Sequence, residues 1–369
     1  MSRATVATIH LGALRRNLAR VRELARGAKV MAVVKADGYG HGLERVARTL
    51  VDADAFGVAA LGDGLRLRAA GITNRIVVLS GPDEAADLAE FRRLQLEAVI
   101  HHESQLAWLE ADRDRRRLRA WLKIDSGMHR LGFAPAQAAD AFARLRAVDN
   151  VDVDTLMTHL AASDEFDNPV TLQQVECFDA ATAGLAGARS LANSAAVLGW
   201  PQTRGADPGH ADPRHHWVRV GGLLYGLSVV AGKSGADLGF EPAMTLSTRL
   251  ISIKQLSRGD SVGYAGTWRC PEDMPIGVAA IGYGDGYPRN VAADTPVSVA
   301  GQRAPIVGRV SMDLITIDLR GMPHARVGDR VVLWGGELPI EHIAAHAGTI
   351  SYDLACGMTK RVLFVEDGG

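Results

Sequence analysis

Cysteine is scarce in this chain: Cys177, Cys270 and Cys356 are the only three in 369 residues. They lie far apart with no CxxC spacing, which excludes a disulfide scaffold and a thiolate zinc site and fits a reducing compartment. No metal is expected. Charge of one sign is lacking too, since 41 Lys+Arg face 42 Asp+Glu and the net charge is -1. Bulk attraction to nucleic acid or an anionic membrane is therefore absent, and neither is expected as a partner. The longest uncharged apolar stretch, Gly221 to Gly232, falls short of the roughly 18–20 residues that span a bilayer. Met1 to Val6 opens no apolar run of the kind that precedes a signal cleavage site, so a cytoplasmic location is expected. With 47% apolar and 22% charged residues, disorder is excluded as the dominant state.

What is present is alternation. Leu11, Leu14, Leu18, Val21 and Leu24 recur at helical spacing. A buried-strand run, Val30 to Val34, follows. Further strands are expected at Phe56–Leu61, Ile76–Ser80, Ala98–His101, Ala120–Asp125, Asp154–Thr158, Arg189–Ala192 and Val218–Leu224. Most are near-continuous apolar runs, as strands covered on both faces are. Eight strand–helix units in about 230 residues fit a (β/α)8 TIM-type barrel, with a doubly wound open sheet as the alternative. Near residue 240 the texture becomes β-branched runs broken by turn signals: Leu246–Ile253, Ile276–Ile281, Pro296–Val299, Leu314–Leu319 and Arg330–Leu333. The expected division is 1–238 for the barrel and 239–369 for a mostly β domain. A His-rich loop, 199–216, reads as solvated, with metal binding as the sharper alternative.

Chemistry gathers at strand ends. Lys35 follows Val33-Val34 directly and is succeeded by Ala36-Asp37-Gly38-Tyr39-Gly40-His41-Gly42. A lysine at a strand's carboxyl end sits at the barrel mouth, where desolvation lowers its basicity and lets it bond an aldehyde cofactor. Alone, it reads equally well as a surface lysine. Further polar groups stand at Lys123-Ile124-Asp125-Ser126-Gly127-Met128-His129-Arg130, at Thr158-His159, at Asn193-Ser194 and at Arg219-Val220-Gly221-Gly222. Four such ends together with Lys35 are hard to explain as packing.

These motifs, with Val262-Gly263-Tyr264-Ala265-Gly266-Thr267, Ile281-Gly282-Tyr283-Gly284-Asp285-Gly286-Tyr287-Pro288-Arg289, Gly308-Arg309-Val310-Ser311-Met312-Asp313 and Gly348-Thr349-Ile350-Ser351-Tyr352, run in order along the whole chain. In them the sequence resembles the bacterial alanine racemases, which use pyridoxal 5'-phosphate. The resemblance implies that Lys35 forms the Schiff base with the cofactor and is the base on the D face of the substrate. Tyr264 would be the base on the L face, contributed across a homodimer whose active sites are shared. Racemisation needs such a pair, one group removing a proton and the other supplying one. The cofactor stabilises the carbanion.

By the same resemblance Arg219 faces the pyridine nitrogen and His159 supports it. Tyr39, Ser194, Gly221, Gly222 and Tyr352 match the phosphate-binding groups. Arg130 and Met312 match the substrate-carboxylate contacts, and Tyr283 lines the entrance. Lys123 matches a lysine that is often carbamylated. Ser311 departs from the Cys of many members. The implied role is supply of D-alanine for peptidoglycan. The alternative is a racemase of another or broader range, such as serine or lysine.

Overall fold

The structure is a computed structural model and describes residues 4–204 and 216–368. The chain divides into two compact units. One comprises Asn17–Leu224 with Val229–Ala231, the other Met1–Arg16, Tyr225–Ser228 and Gly232–Gly369.

A short strand, β1 (Val6–His10), precedes the barrel strands. These are β2 (Lys29–Val33), β3 (Ala55–Val58), β4 (Arg75–Val78), β5 (Glu97–Ile100), β6 (Leu118–Lys123), β7 (Val151–Met157), β8 (Ala188–Ser190) and β9 (Trp217–Val220). All eight runs expected from the sequence form strands, joined in parallel in the order β8-β7-β6-β5-β4-β3-β2-β9. Between β8 and β9, the Arg219 N–H donates to the Ala192 carbonyl at 2.9 Å and Ser190 Oγ to the Trp217 carbonyl at 3.3 Å. The last run is shorter than expected: the strand stops at Val220 and the chain continues as a 3-10 turn, Gly222–Tyr225. The interior holds a buried layer of Met31, Ala55, Val77, Val99, Trp121, Met157 and Trp217, one residue from each of seven strands. Such side-chain layers make a barrel a packed core and not a pore.

The amino ends of β4 and β5 carry an anchor. Arg75 donates from Nε and Nη2 to the two carboxylate oxygens of buried Glu97, at 2.5 and 2.7 Å. Trp121 Nε1 donates to the same carboxylate at 2.8 Å. The Arg75 guanidinium lies 4.9 Å from the centroid of the Trp217 ring, itself 5.3 Å from Trp121. Glu97→Ala leaves Arg75 and the indole N–H without this partner, so it should lower unfolding stability by about 3 kcal/mol. Urea unfolding of the variant checks this; an unchanged midpoint would refute the anchor.

The second unit is built on β10 (Met244–Leu256), β11 (Ser261–Val262), β12 (Trp268–Arg269), β13 (Met274–Ala279), β14 (Pro296–Val299), β15 (Gln302–Val307), β16 (Ile315–Asp318), β17 (Arg330–Trp334) and β18 (Leu363–Asp367). Strands β10, β13, β16, β15, β14 and β17 are antiparallel and return on themselves through a β13–β10 pairing. The long β10 also pairs antiparallel with β1, which pairs in parallel with β18. The expected boundary of 1–238 thus needs correction at its start. Val6–His10 is recruited by a sheet edge more than 200 residues away, and no local pattern announces that. Of the His-rich loop, 205–215 lies outside the described residues.

Candidate active site

Lys35 begins the turn that leaves β2. Ala36, Asp37, Gly38, Tyr39 and Gly40 have φ of 54°, 54°, 63°, 51° and 78°, a full turn of left-handed helix. Left-handed backbone costs roughly 1–2 kcal/mol at each of Ala36, Asp37 and Tyr39, while the glycines adopt it freely. Local bonds hold the turn. Gly38 N–H donates to the Val34 carbonyl at 2.9 Å and Gly42 N–H to the Asp37 carbonyl at 2.8 Å. Asp37 Oδ1 accepts from Leu43 N–H at 3.2 Å and from Arg66 Nη2 at 2.9 Å.

That turn carries the Tyr39 ring to Gly221. A methyl group built on Gly221 would lie 2.3 Å from Tyr39 Oη, so any larger residue there would displace the Tyr39 ring. Gly221 N–H donates to Ser194 Oγ at 2.9 Å. Ser194 opens the short helix Ser194–Gly199, whose preceding Asn193 accepts from Ala196 N–H at 3.0 Å and from Ser163 Oγ at 2.8 Å. A phenol, a hydroxyl and a glycine amide therefore converge, with buried Gly222 next in the chain. Such a set suits a phosphate: small donors, and a backbone with no Cβ in the way.

Arg219 on β9 is buried among strand ends. Nη1 donates to the Ser190 carbonyl at 2.8 Å and to Ser190 Oγ at 2.7 Å. Nη2 donates to the Thr158 carbonyl at 2.7 Å, and His159 Nδ1 lies 3.3 Å from it. Arginine can only donate, so Nδ1 accepts and the imidazole proton sits on Nε2. Burial and the neighbouring Arg219 and Lys123 push the His159 pKa down to about 2. Burial also lowers Arg219, to about 10, which leaves it charged at neutral pH.

Lys123, at the end of β6, is buried. Its pKa falls to about 8, through burial first and then the positive charges of Arg219 and Arg130; Asp125 opposes the shift. After Asp125 the chain makes a loop, 126–132, that bears Arg130 on its exposed side. Gln174 braces the loop beyond β7. Its Oε1 accepts from Ala161 N–H at 2.7 Å and its Nε2 donates to the His159 carbonyl at 3.2 Å. Sequence reasoning missed Gln174 and Ser190, whose only signal is a polar residue on an otherwise apolar face.

The second unit brings three motif turns side by side. Gly263 packs against the backbone of Arg309, and Gly308 against Val262. The Tyr283 N–H donates to the Ser311 carbonyl at 3.1 Å and Gly284 N–H to the Met312 carbonyl at 2.9 Å. Tyr264, Met312 and Tyr283 are 68%, 51% and 38% exposed. Arg361 ties this group together, with Nε 3.3 Å from buried Asp285 and Nη2 donating to Asp313. Tyr352 lies on the short helix Ser351–Cys356. Among the described residues no helix is long and apolar enough to cross a membrane.

The comparisons agree with this architecture. The alanine racemase N-terminal domain model matches residues 9–229 and the C-terminal domain model residues 243–365. An alanine racemase of Shewanella piezotolerans is 50% identical over 362 residues, covering 98% of each chain. That of Vibrio cholerae is 47% identical over 361 residues, covering 98% of this chain and 97% of its own. The crystal structure of the biosynthetic alanine racemase from Pseudomonas aeruginosa superposes with a TM-score of 0.93 at 42% identity, over 99% of both chains. The Acinetobacter baumannii alanine racemase structure gives 0.91 at 33% identity, over 99% of this chain and all of that one. A (β/α)8 barrel and a mostly β unit matched over nearly their whole length make this chain a member of the alanine racemase family, and hence an isomerase.

Proposed function

We propose that the chain interconverts L- and D-alanine with pyridoxal 5'-phosphate, using Lys35 and Tyr264 as its two bases. Arg219 carries the reading: a buried arginine, held by carbonyls, a hydroxyl and a neutral histidine, with no carboxylate among those partners. When bound, the cofactor supplies the electron sink that makes the Cα–H bond of an amino acid acidic. A ring nitrogen facing Arg219 can only accept, so it stays unprotonated. That weakens the sink and suppresses side reactions such as transamination. Tyr39, Ser194, Gly221 and Gly222 fit the phosphate, as the missing Cβ at Gly221 supports; Tyr352 is assigned to the same role by the family resemblance alone. His159, uncharged, fixes Arg219 without adding a second cation.

Lys35 would hold the cofactor covalently until the substrate amine displaces its Nζ, and the freed Nζ would then exchange the Cα proton on the D face. Tyr264 does so on the L face through Oη. Its exposure in the single chain supports a role in a second copy's site, hence a homodimer. Arg130 and the Met312 N–H receive the substrate carboxylate, and Tyr283 narrows the entrance. The cellular role is D-alanine supply for peptidoglycan in the cytoplasm.

Lys123 is carbamylated in this reading. A pKa of about 8 leaves part of the amine neutral and able to add carbon dioxide, releasing a proton. The resulting anion meets Arg219 and Arg130 in place of a third like charge. Carbon NMR of protein equilibrated with isotope-labelled bicarbonate should show one slowly exchanging carbamate, absent in Lys123→Gln. No such resonance would refute the modification.

Proton NMR of L-alanine in D2O, with protein and added cofactor and a chiral check for D-alanine, tests the whole. Loss of the α-proton signal with D-alanine formation supports the proposal. Bound cofactor without exchange would overturn the substrate.

A further inference from the structure

The loop that bears Arg130 is an excursion with a closed base. Asp125 N–H donates to the Phe133 carbonyl and Phe133 N–H to the Lys123 carbonyl, both at 2.9 Å. Between these bonds the backbone takes three positive φ values: 136° at Gly127, 56° at His129 and 130° at Gly132. A Cβ on Gly132 would lie 2.5 Å from the Asp125 nitrogen, so the return strand passes directly over this residue. Three successive N–H groups, of Gly127, Met128 and His129, point back at a single atom, Asp125 Oδ1, at 3.0, 3.0 and 2.9 Å. Consecutive amides curled around an anion form a nest. Here the anion is a side chain of the same loop, and the residue after the nest is Arg130.

We infer that Asp125 is a positioning residue for Arg130, its Oδ1 fixing the nest that sets where the guanidinium stands. The inference rests on the reading of Arg130 as the contact for the substrate carboxylate. A bidentate guanidinium–carboxylate pair tolerates little angular error, so a loosened loop weakens substrate binding more than it slows chemistry. Oδ1 acts as an acceptor, taking all three N–H bonds. The charges facing the carboxylate are His129, whose Nδ1 is 3.7 Å from Oδ2 and largely exposed, and Lys123 at the end of β6, on which Asp125 acts electrostatically. Burial alone would raise the Asp125 pKa, yet the N–H groups of His129 and Gly127 hold it below the ordinary carboxylate range.

Steady-state kinetics of the cofactor-loaded enzyme in both directions test this. Asp125→Ala should raise KM for both alanine enantiomers about tenfold, with kcat within about threefold of the parent. Asp125→Asn keeps the acceptor and removes the charge, so it should stay within about threefold of the parent in both constants. His129→Val opposes the left-handed conformation while leaving Asp125 in place, and should raise KM in the same direction, which keeps the test open if Asp125→Ala fails to fold. An unchanged KM in Asp125→Ala and His129→Val, or Asp125→Asn as impaired as Asp125→Ala, overturns the inference. Arg130→Ala separates the two readings. If it leaves KM unchanged, the substrate role of Arg130 fails; if it raises KM while the loop variants do not, only the positioning role of Asp125 fails.

Discussion

Lys35→Ala should lose at least about a thousandfold in racemisation, because in the proposed scheme it removes both the covalent anchor of the cofactor and one of the two bases. It should also lose the absorbance of lysine-linked cofactor. Borohydride reduction of the parent followed by peptide mapping should place the label on Lys35 and leave the variant unlabelled. Binding at the proposed phosphate site should persist, since Tyr39, Ser194 and Gly221 all remain in the variant. A variant that keeps a lysine-linked chromophore would sink the assignment, whatever its activity.

The second large effect is directional. Tyr264→Phe should slow α-proton exchange from L-alanine by about a hundredfold or more, while D-alanine, deprotonated by Lys35 in the proposed scheme, still exchanges. Overall turnover cannot reveal this. The enantiomers have equal free energy, so kcat/KM must stay equal in the two directions for any variant. Isotope exchange in D2O escapes that constraint, because each base can wash out its own proton without completing the inversion. Equal exchange defects from both enantiomers would falsify the two-face scheme.

The barrel was legible because its strands are covered on both faces. Ile76-Val77-Val78 and Ala98-Val99-Ile100 are unbroken apolar runs, and each became a strand within a residue or two of its expected limits. The edges of the β unit were not. Val6–His10 has only five residues of alternating burial, and its partners Met244–Leu256 and Leu363–Asp367 are remote in sequence. Polar strand ends were legible as a group, since Lys35, Lys123, His159 and Arg219 interrupt apolar runs at matching places. Other buried polar partnerships were hidden. Glu97 opens a strand and reads as a solvated acid until Arg75 and Trp121 are seen to close on it. Asp125 acts on backbone amides, and sequence carries no mark of where three N–H groups point. The left-handed turn at 36–40 was half visible, in its glycines but not in Ala36, Asp37 and Tyr39.

The Arg75–Glu97 pair of the anchor stands at the amino ends of β4 and β5, and the polar groups Lys35, Lys123, His159 and Arg219 stand near the carboxyl ends of their strands. A four-residue strand such as β5 spans about 13 Å, beyond the range in which substitutions usually couple. Changes at Arg75 or Glu97 should therefore combine additively with changes at the carboxyl ends, whereas Trp121 and Trp217 lie only two residues from Lys123 and Arg219. The carboxyl-end loops can explore new substrates by drift or by design while the opposite end keeps the chain above its folding threshold. This division makes the scaffold evolvable, because a substitution that costs stability at the catalytic rim can be offset at the far end without altering what the rim recognises.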